Sequence, residues 1–228
     1  MTNLTSIMIN VIDRGFADYD AVLAEQQAIF NKLVNKQKTH SEINEECVIL
    51  VEHPSVYTLG VHANSSNILV NSKWLEDNKI KCVHIQRGGD VTYHGPGQIV
   101  VYPIISLQKH GISLKDYVSL LEQAVIDTLA QSGIVSGRVE GATGVWLGMG
   151  TQNERKICAI GVRCNRFITM HGLALNVNTD LSYFNMINPC GFIDKGVTSM
   201  AKELGHKIDF EKVKYDLANK IVEKLRNY

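Results

Sequence analysis

At 228 residues the chain is long enough for one large domain whose core needs no disulfide or metal staple. Its 23 Lys plus Arg balance 23 Asp plus Glu, which excludes a nucleic-acid binder working through bulk charge and leaves room only for a local basic patch toward an acidic protein partner. Five cysteines, Cys47, Cys82, Cys158, Cys164 and Cys190, contain no C-x-x-C pair. They suggest neither a disulfide framework nor a zinc site, so reduced thiols in a cytoplasmic protein are expected. Met1 to Gly15 does not read as a signal peptide, and no apolar stretch reaches the length of a membrane span.

In chain order, Asp18 to Lys36 carries Tyr19, Val22, Leu23, Ile29, Phe30 and Leu33 at helical spacing. The run Cys47 to Val51 reads as a buried strand that ends at His53-Pro54. Ile80 to Gln86 and Ile99 to Ile105 are the next strands, with a Gly-rich segment between them. Ser113 caps a helix that runs to Gln131 and stops at Gly133. Gly144 to Gly148, Lys156 to Arg163 and Phe167 to Val177 read as strands, and Phe210 to Asn227 as a closing amphipathic helix. With no repeat and no linker, this order predicts one catalytic domain over residues 1–228, of α/β or α+β class, with a mixed sheet flanked by helices.

Three segments carry polar chemistry. In Arg87 to Gln98, four glycines and a proline in twelve residues forbid a regular element. Glycine also lets backbone amides approach a ligand. A surface turn is the plain alternative, but Arg87, Thr92 and His94 together favour a binding loop. In Asn188-Pro-Cys-Gly191, proline and glycine put Cys190 in a turn where a thiol can be reached. The other four cysteines lie in apolar runs and read as core. A nucleophilic thiol needs a cation or base beside it. Lys156, His94 and His171 are the rival helpers, and spacing alone does not rank them. In Thr169 to Asn176 a His and an Asn stand inside an apolar strand, where buried polar groups need partners. The remaining histidines, His40, His62, His84, His110 and His206, read as surface or structural, and no metal-binding spacing occurs.

Arg87-Gly-Gly-x-x-Thr-Tyr-His94-Gly-Pro-Gly-Gln98 resembles the motif of the lipoyl(octanoyl) transferases. Glu52-His53-Pro54, Gly144-Val-Trp146, Lys156-Ile-x-Ala-Ile-Gly161, Thr169-Met-His-Gly172, Leu175 to Asp180 and Pro189-Cys-Gly191 follow in that family's order, from about Gly15 to Leu204. The resemblance implies the fold of lipoate and biotin protein ligases. It implies that Cys190 carries the acyl thioester and that Lys156 lowers the cysteine pKa and handles protons. It assigns the acyl pocket to Arg87, Gly88, Gly89, Asp90, Val91, Thr92, Tyr93 and His94, to Ala159, Ile160 and Gly161, and to Gly172, Leu173 and Ala174. The donor is then octanoyl-acyl carrier protein, which brings its own phosphopantetheine, with no other cofactor and no metal. The acceptors are lysines of lipoyl domains in 2-oxoacid dehydrogenases and of the glycine cleavage H protein. Neither a nucleic acid nor a membrane takes part, and a monomer is the simplest state. Cys158 departs from the family's usual alanine, and Gly148 to Arg155 reads as a variable loop. The rivals are an ATP-dependent lipoate–protein ligase on the same fold, an amidotransferase between lipoyl-type carriers, and a non-catalytic carrier-binding module.

Overall fold

Local signals start the helices where the sequence puts them. The computed structural model describes residues 8–188 and 196–228. Asp18 caps α1 (Tyr19–Lys38), its carboxylate accepting from the amides of Asp20 and Ala21. Ser113 caps α4 (Leu114–Gln131) through the Asp116 amide, and Asp209 caps α6 (Phe210–Arg226) through that of Lys212. The short helices α2 (Ser72–Asp77), α3 (Leu107–His110) and α5 (Met200–Leu204) complete the α-helices among the described residues, and Ser65–Asn67 and Leu181–Met186 form 3-10 turns.

The strands are β1 (Met8–Phe16), β2 (Glu45–Glu52), β3 (Val56–Leu59), β4 (Lys81–His84), β5 (Val91–His94), β6 (Gln98–Ile104), β7 (Gly137–Val139), β8 (Ala142–Leu147), β9 (Arg155–Asn165), β10 (Ile168–Asn176) and β11 (Gly196–Val197). The main sheet runs β1-β2-β6-β10-β9-β8-β7, with β11 added parallel to β9. β1 and β2 are parallel, while β2, β6, β10, β9 and β8 alternate in direction, so the sheet is mixed as expected. One face packs on α4 and α6, burying Leu50, Val101, Leu121, Leu173 and Leu217. The other packs on α1 through Ile49, Val100, Phe30 and Met170. A small sheet, β4-β3-β5, has its own core around Tyr57, Leu59 and Tyr93.

Two expectations are corrected. The Gly-rich segment does hold a regular element: Val91–His94 forms β5 and pairs antiparallel with β3. Its glycines, at 88, 89, 95 and 97, flank the strand rather than interrupt it. Cys82 is exposed rather than core, because it lies on β4 at the edge of the small sheet, and Cys164 is half-buried. No helix among the described residues is long and apolar enough to cross a membrane.

Candidate active site

A register fault brings Lys156 to the site. Val145 pairs with Cys158 but Trp146 pairs with Lys156, so Ile157 is an extra residue on β9. Ile157 and Cys158 both sink into the α4–α6 core. A bulge of this kind re-aims the side chains before it, and Lys156 turns to the opposite face of the sheet, beside Ala159 and Gly161. Its ammonium lies 4.6 Å from the centroid of the buried Trp146 ring, a cation–π contact. The indole N–H donates to Ala142 O at 2.8 Å and fixes the ring. Gly144 stands next to this pair with φ +122°. A Cβ there would sit 2.5 Å from Cys158 O, so the backbone of β9 and the positive φ admit only glycine at this position.

From Lys156 a cavity of about 440 Å³ extends across β9, β10 and β6 beneath the small sheet. Small residues make its floor: Ala159 and Gly161 on β9 lie opposite Ala174 and Gly172 on β10. The turn Arg87 to Asp90 and the start of β5, Val91 and Thr92, make the roof. It rests on β9, with the Gly88 amide donating to Val162 O at 3.0 Å. A Cβ on Gly161 would come within 2.9 Å of Gly88 O and 3.1 Å of Arg87 Cδ, which explains the glycine there. The buried Arg87 guanidinium donates to Thr58 O at 2.7 Å and Thr58 Oγ1 at 2.9 Å, tying the roof to β3. Burial lowers its pKa against the influence of Tyr19, Tyr102 and Asp90.

The histidines of the cavity are neutral. Burial, with His53 nearby, brings His94 down to about 3. Burial and the Arg87 and Arg163 charges bring His171 to about 3. The hydrogen-bond network assigns the His94 tautomer. Gln98 Nε2 donates to Asn176 Oδ1 at 2.8 Å, so Gln98 Oε1 faces His94 Nδ1, also at 2.8 Å, and Nδ1 carries the proton. Asn176 Nδ2 continues to Thr198 O at 3.0 Å, and the Thr198 amide donates to Lys156 O at 3.0 Å. This chain joins His94 to the backbone of Lys156.

The structure thus brings Lys156, Arg87 to Thr92, His94, Ala159 to Gly161 and Gly172 to Ala174 to one cavity. Tyr93 does not join them. Its ring faces the small-sheet core, stacked on Tyr183 at 4.9 Å, and its hydroxyl pairs with Ser55 at 2.9 Å. Cys190 lies outside the described residues. The residues on either side of its segment are held at the cavity wall. The Asn188 amide donates to Asn67 O at 2.7 Å, and Asn67 Nδ2 donates to the cavity residue Asp90 at 2.7 Å. At the other end Val197 pairs with Lys156. Sequence reasoning missed Tyr19 and Tyr102, which line the cavity but read as helix and strand core.

A mixed sheet between helices, with a roofed cavity beginning at a strand lysine, defines a protein of the lipoate and biotin ligase fold. The bipartite lipoate protein ligase of Thermoplasma acidophilum, part of an archaeal lipoylation system, superposes with a TM-score of 0.65 over 95% of this chain and 84% of that one, at 14% identity. The biotin protein ligase of Aquifex aeolicus with biotin and ATP gives 0.55 over 96% and 70%, at 12% identity. The lipoyl protein ligase A/B catalytic domain matches residues 18–222. The octanoyltransferase of Bacteroides fragilis is 52% identical over 91% of this chain and 93% of its own length, and that of Flavobacterium johnsoniae 48% identical over 90% and 91%. The chain belongs to the lipoyl(octanoyl) transferase family and is an acyltransferase.

Proposed function

We propose that the protein transfers an octanoyl group from octanoyl-acyl carrier protein to a specific lysine of lipoyl domains, through a thioester on Cys190. The observation that carries this reading is that both flanks of residues 189–195 are fastened to the cavity wall, one of them by pairing directly with Lys156.

The chemistry balances without ATP or a metal. The Lys156 ammonium favours the Cys190 thiolate. The thiolate attacks the donor carbonyl, and the phosphopantetheine sulfur leaves with a proton from Lys156. The acyl chain now rests on Cys190 at nearly equal energy, one thioester having replaced another. The acceptor amine then attacks, neutral Lys156 takes its proton, and the Cys190 thiolate departs as the amide forms. The Gly89 amide of the roof steadies the developing oxyanion. The enzyme works in the cytoplasm, as a monomer, on lipoyl domains of 2-oxoacid dehydrogenases and on the glycine cleavage H protein. The ligase alternative requires ATP to activate a free acid.

Intact-protein mass spectrometry after incubation with octanoyl-acyl carrier protein tests the reading. Wild type gains one octanoyl group, Cys190→Ala gains none, and transfer to a lipoyl domain proceeds with EDTA and without nucleotide. Label on Cys158 or Cys164, or a need for ATP, refutes it.

A further inference from the structure

Acyl transfer explains the Lys156 end of the cavity but not the opposite end. There α1, the residue after β2, β5, β6 and β10 gather five rings. Tyr19 lies 5.1 Å from His53 and stacks on His94 at 6.1 Å. His53 lies 6.0 Å from Tyr102, which lies 6.5 Å from His171. His53 and Tyr102 satisfy each other: Nδ1 of His53 donates to Ala17 O at 2.8 Å, so Nε2 accepts from the Tyr102 hydroxyl at 3.0 Å. The Tyr19 hydroxyl, His94 Nε2 and the His171 imidazole have no hydrogen-bond partner among the described residues. All three side chains line the cavity, so these polar atoms open onto it.

The backbone is strained to achieve this. Strand alternation puts Leu173 of β10 in the α4–α6 core and Met170 on the α1 side. His171 should share the face of Leu173. Its φ of +61° breaks the alternation, and its ring lines the cavity on the α1 side instead. A non-glycine residue in this region costs free energy, and such strain concentrates at functional sites.

A saturated alkyl end satisfies none of these atoms. Their polarity is defined: with the proton on Nδ1, His94 Nε2 is a bare acceptor, and the ring stacked on it carries the Tyr19 hydroxyl donor. A hydroxyl group donates to the first and accepts from the second. A carboxylate would meet the Nε2 lone pair with its own. From β9, which carries Lys156, to β6, which carries the His94 partner Gln98, there are two strand spacings, roughly 10 Å. That is the reach of a medium acyl chain. The geometry points to a subsite for a hydroxyl group at the far end of the acyl chain, so that the enzyme takes ω-hydroxylated medium-chain acyl thioesters as well as the plain chain. This rests on the acyl-thioester reading above. Burial keeps both histidines neutral near pH 7, which preserves the acceptor.

The test compares octanoyl- and ω-hydroxyoctanoyl-acyl carrier protein as donors to the wild-type enzyme, by kcat/KM for transfer to a lipoyl domain and by the mass gained on Cys190. The hydroxylated donor is expected within about threefold of octanoyl or better, where a purely apolar pocket rejects an added hydroxyl by about a hundredfold. Tyr19→Phe keeps the ring and removes only the hydroxyl, and should lower the hydroxylated-to-plain ratio by about tenfold. Rejection of the hydroxylated donor by the wild type overturns the proposal. So does an unchanged ratio in Tyr19→Phe, including an equal loss with both donors, which would put the hydroxyl at the reacting carbonyl. If neither donor acylates Cys190, the acyl-thioester reading itself fails, and the subsite falls with it.

Discussion

On the proposed mechanism, replacing Trp146 by leucine should weaken Cys190 as a nucleophile through Lys156, without touching the cysteine. Lys156 Nζ lies 4.6 Å from the ring centroid, and Trp146 is 1% exposed, so the contact belongs to the desolvated end of the cation–π range, about 2 kcal/mol. Leucine keeps the site apolar but removes the quadrupole. At about 1.4 kcal/mol per tenfold, the ammonium loses about 30-fold in its ratio to the amine. In that mechanism Cys190 benefits from Lys156 only while the ammonium is charged and held in place by the ring, so its alkylation midpoint should move to higher pH, toward that of Lys156→Ala. Leucine also leaves a void that costs about 3 kcal/mol of stability, so Trp146→Phe is the control. Phenylalanine keeps an aromatic face and loses the indole bond to Ala142 O. Iodoacetamide labelling of the Cys190 peptide against pH reads the effect. Cys47 and Cys158 are buried, Cys47 is pushed up to about 12 by burial and neighbouring carboxylates, and peptide mapping separates Cys82 and Cys164. The expected order of thiolate at neutral pH is wild type, then Phe, then Leu. Superimposable profiles for wild type and Trp146→Leu, with Lys156→Ala shifted, would refute the role of the ring.

Three further outcomes can be measured. A Cβ on Gly172 would lie 2.1 Å from Val101 O and 2.8 Å from Pro103 Cδ, so Gly172→Ala should force β10 from β6 and cost about 3 kcal/mol in urea melts. Gly161→Ala presses on the roof at Gly88 O and Arg87 Cδ, and should slow acylation by octanoyl and decanoyl donors more than by butyryl; an equal loss would separate the roof from the acyl chain. His110 meets an acceptor at each ring nitrogen, Glu46 at 2.7 Å and Leu225 O at 2.9 Å, and although burial opposes its charge, the bond to Glu46 raises its pKa. A raised folded-state pKa gives stability that is complete below the unfolded value near 6.5 and is lost as pH rises through the folded one, so urea melts from pH 6 to 9 should show a decline that His110→Gln abolishes.

The sequence made the helices legible because their signals are local. Asp18 and Ser113 cap in the structure as their side chains allow, and the apolar period follows within a turn. The strands of the main sheet were legible where they are buried on both faces, as in Cys47 to Val51. β1 was not, because it is an edge strand with Ile9 alone fully buried, and β5 was not, because glycines on either side of four strand residues masked them. The motif order pointed to the correct family, yet two features of the cavity depend on departures from strand alternation that no period in the sequence can show. One is the extra residue Ile157, which turns Lys156 away from the α4–α6 core. The other is the left-handed His171, which turns an imidazole in beside Tyr102. Each breaks a rule that every neighbouring residue obeys, and each is stable only because the partner strand and the packed helices leave the side chain no other place. Alternation alone would send both Lys156 and His171 into the hydrocarbon of the α4–α6 core, where a lysine and a histidine would have neither water nor a hydrogen-bond partner. The departures therefore account for how this sequence can place polar chemistry on a sheet that is otherwise buried on both sides.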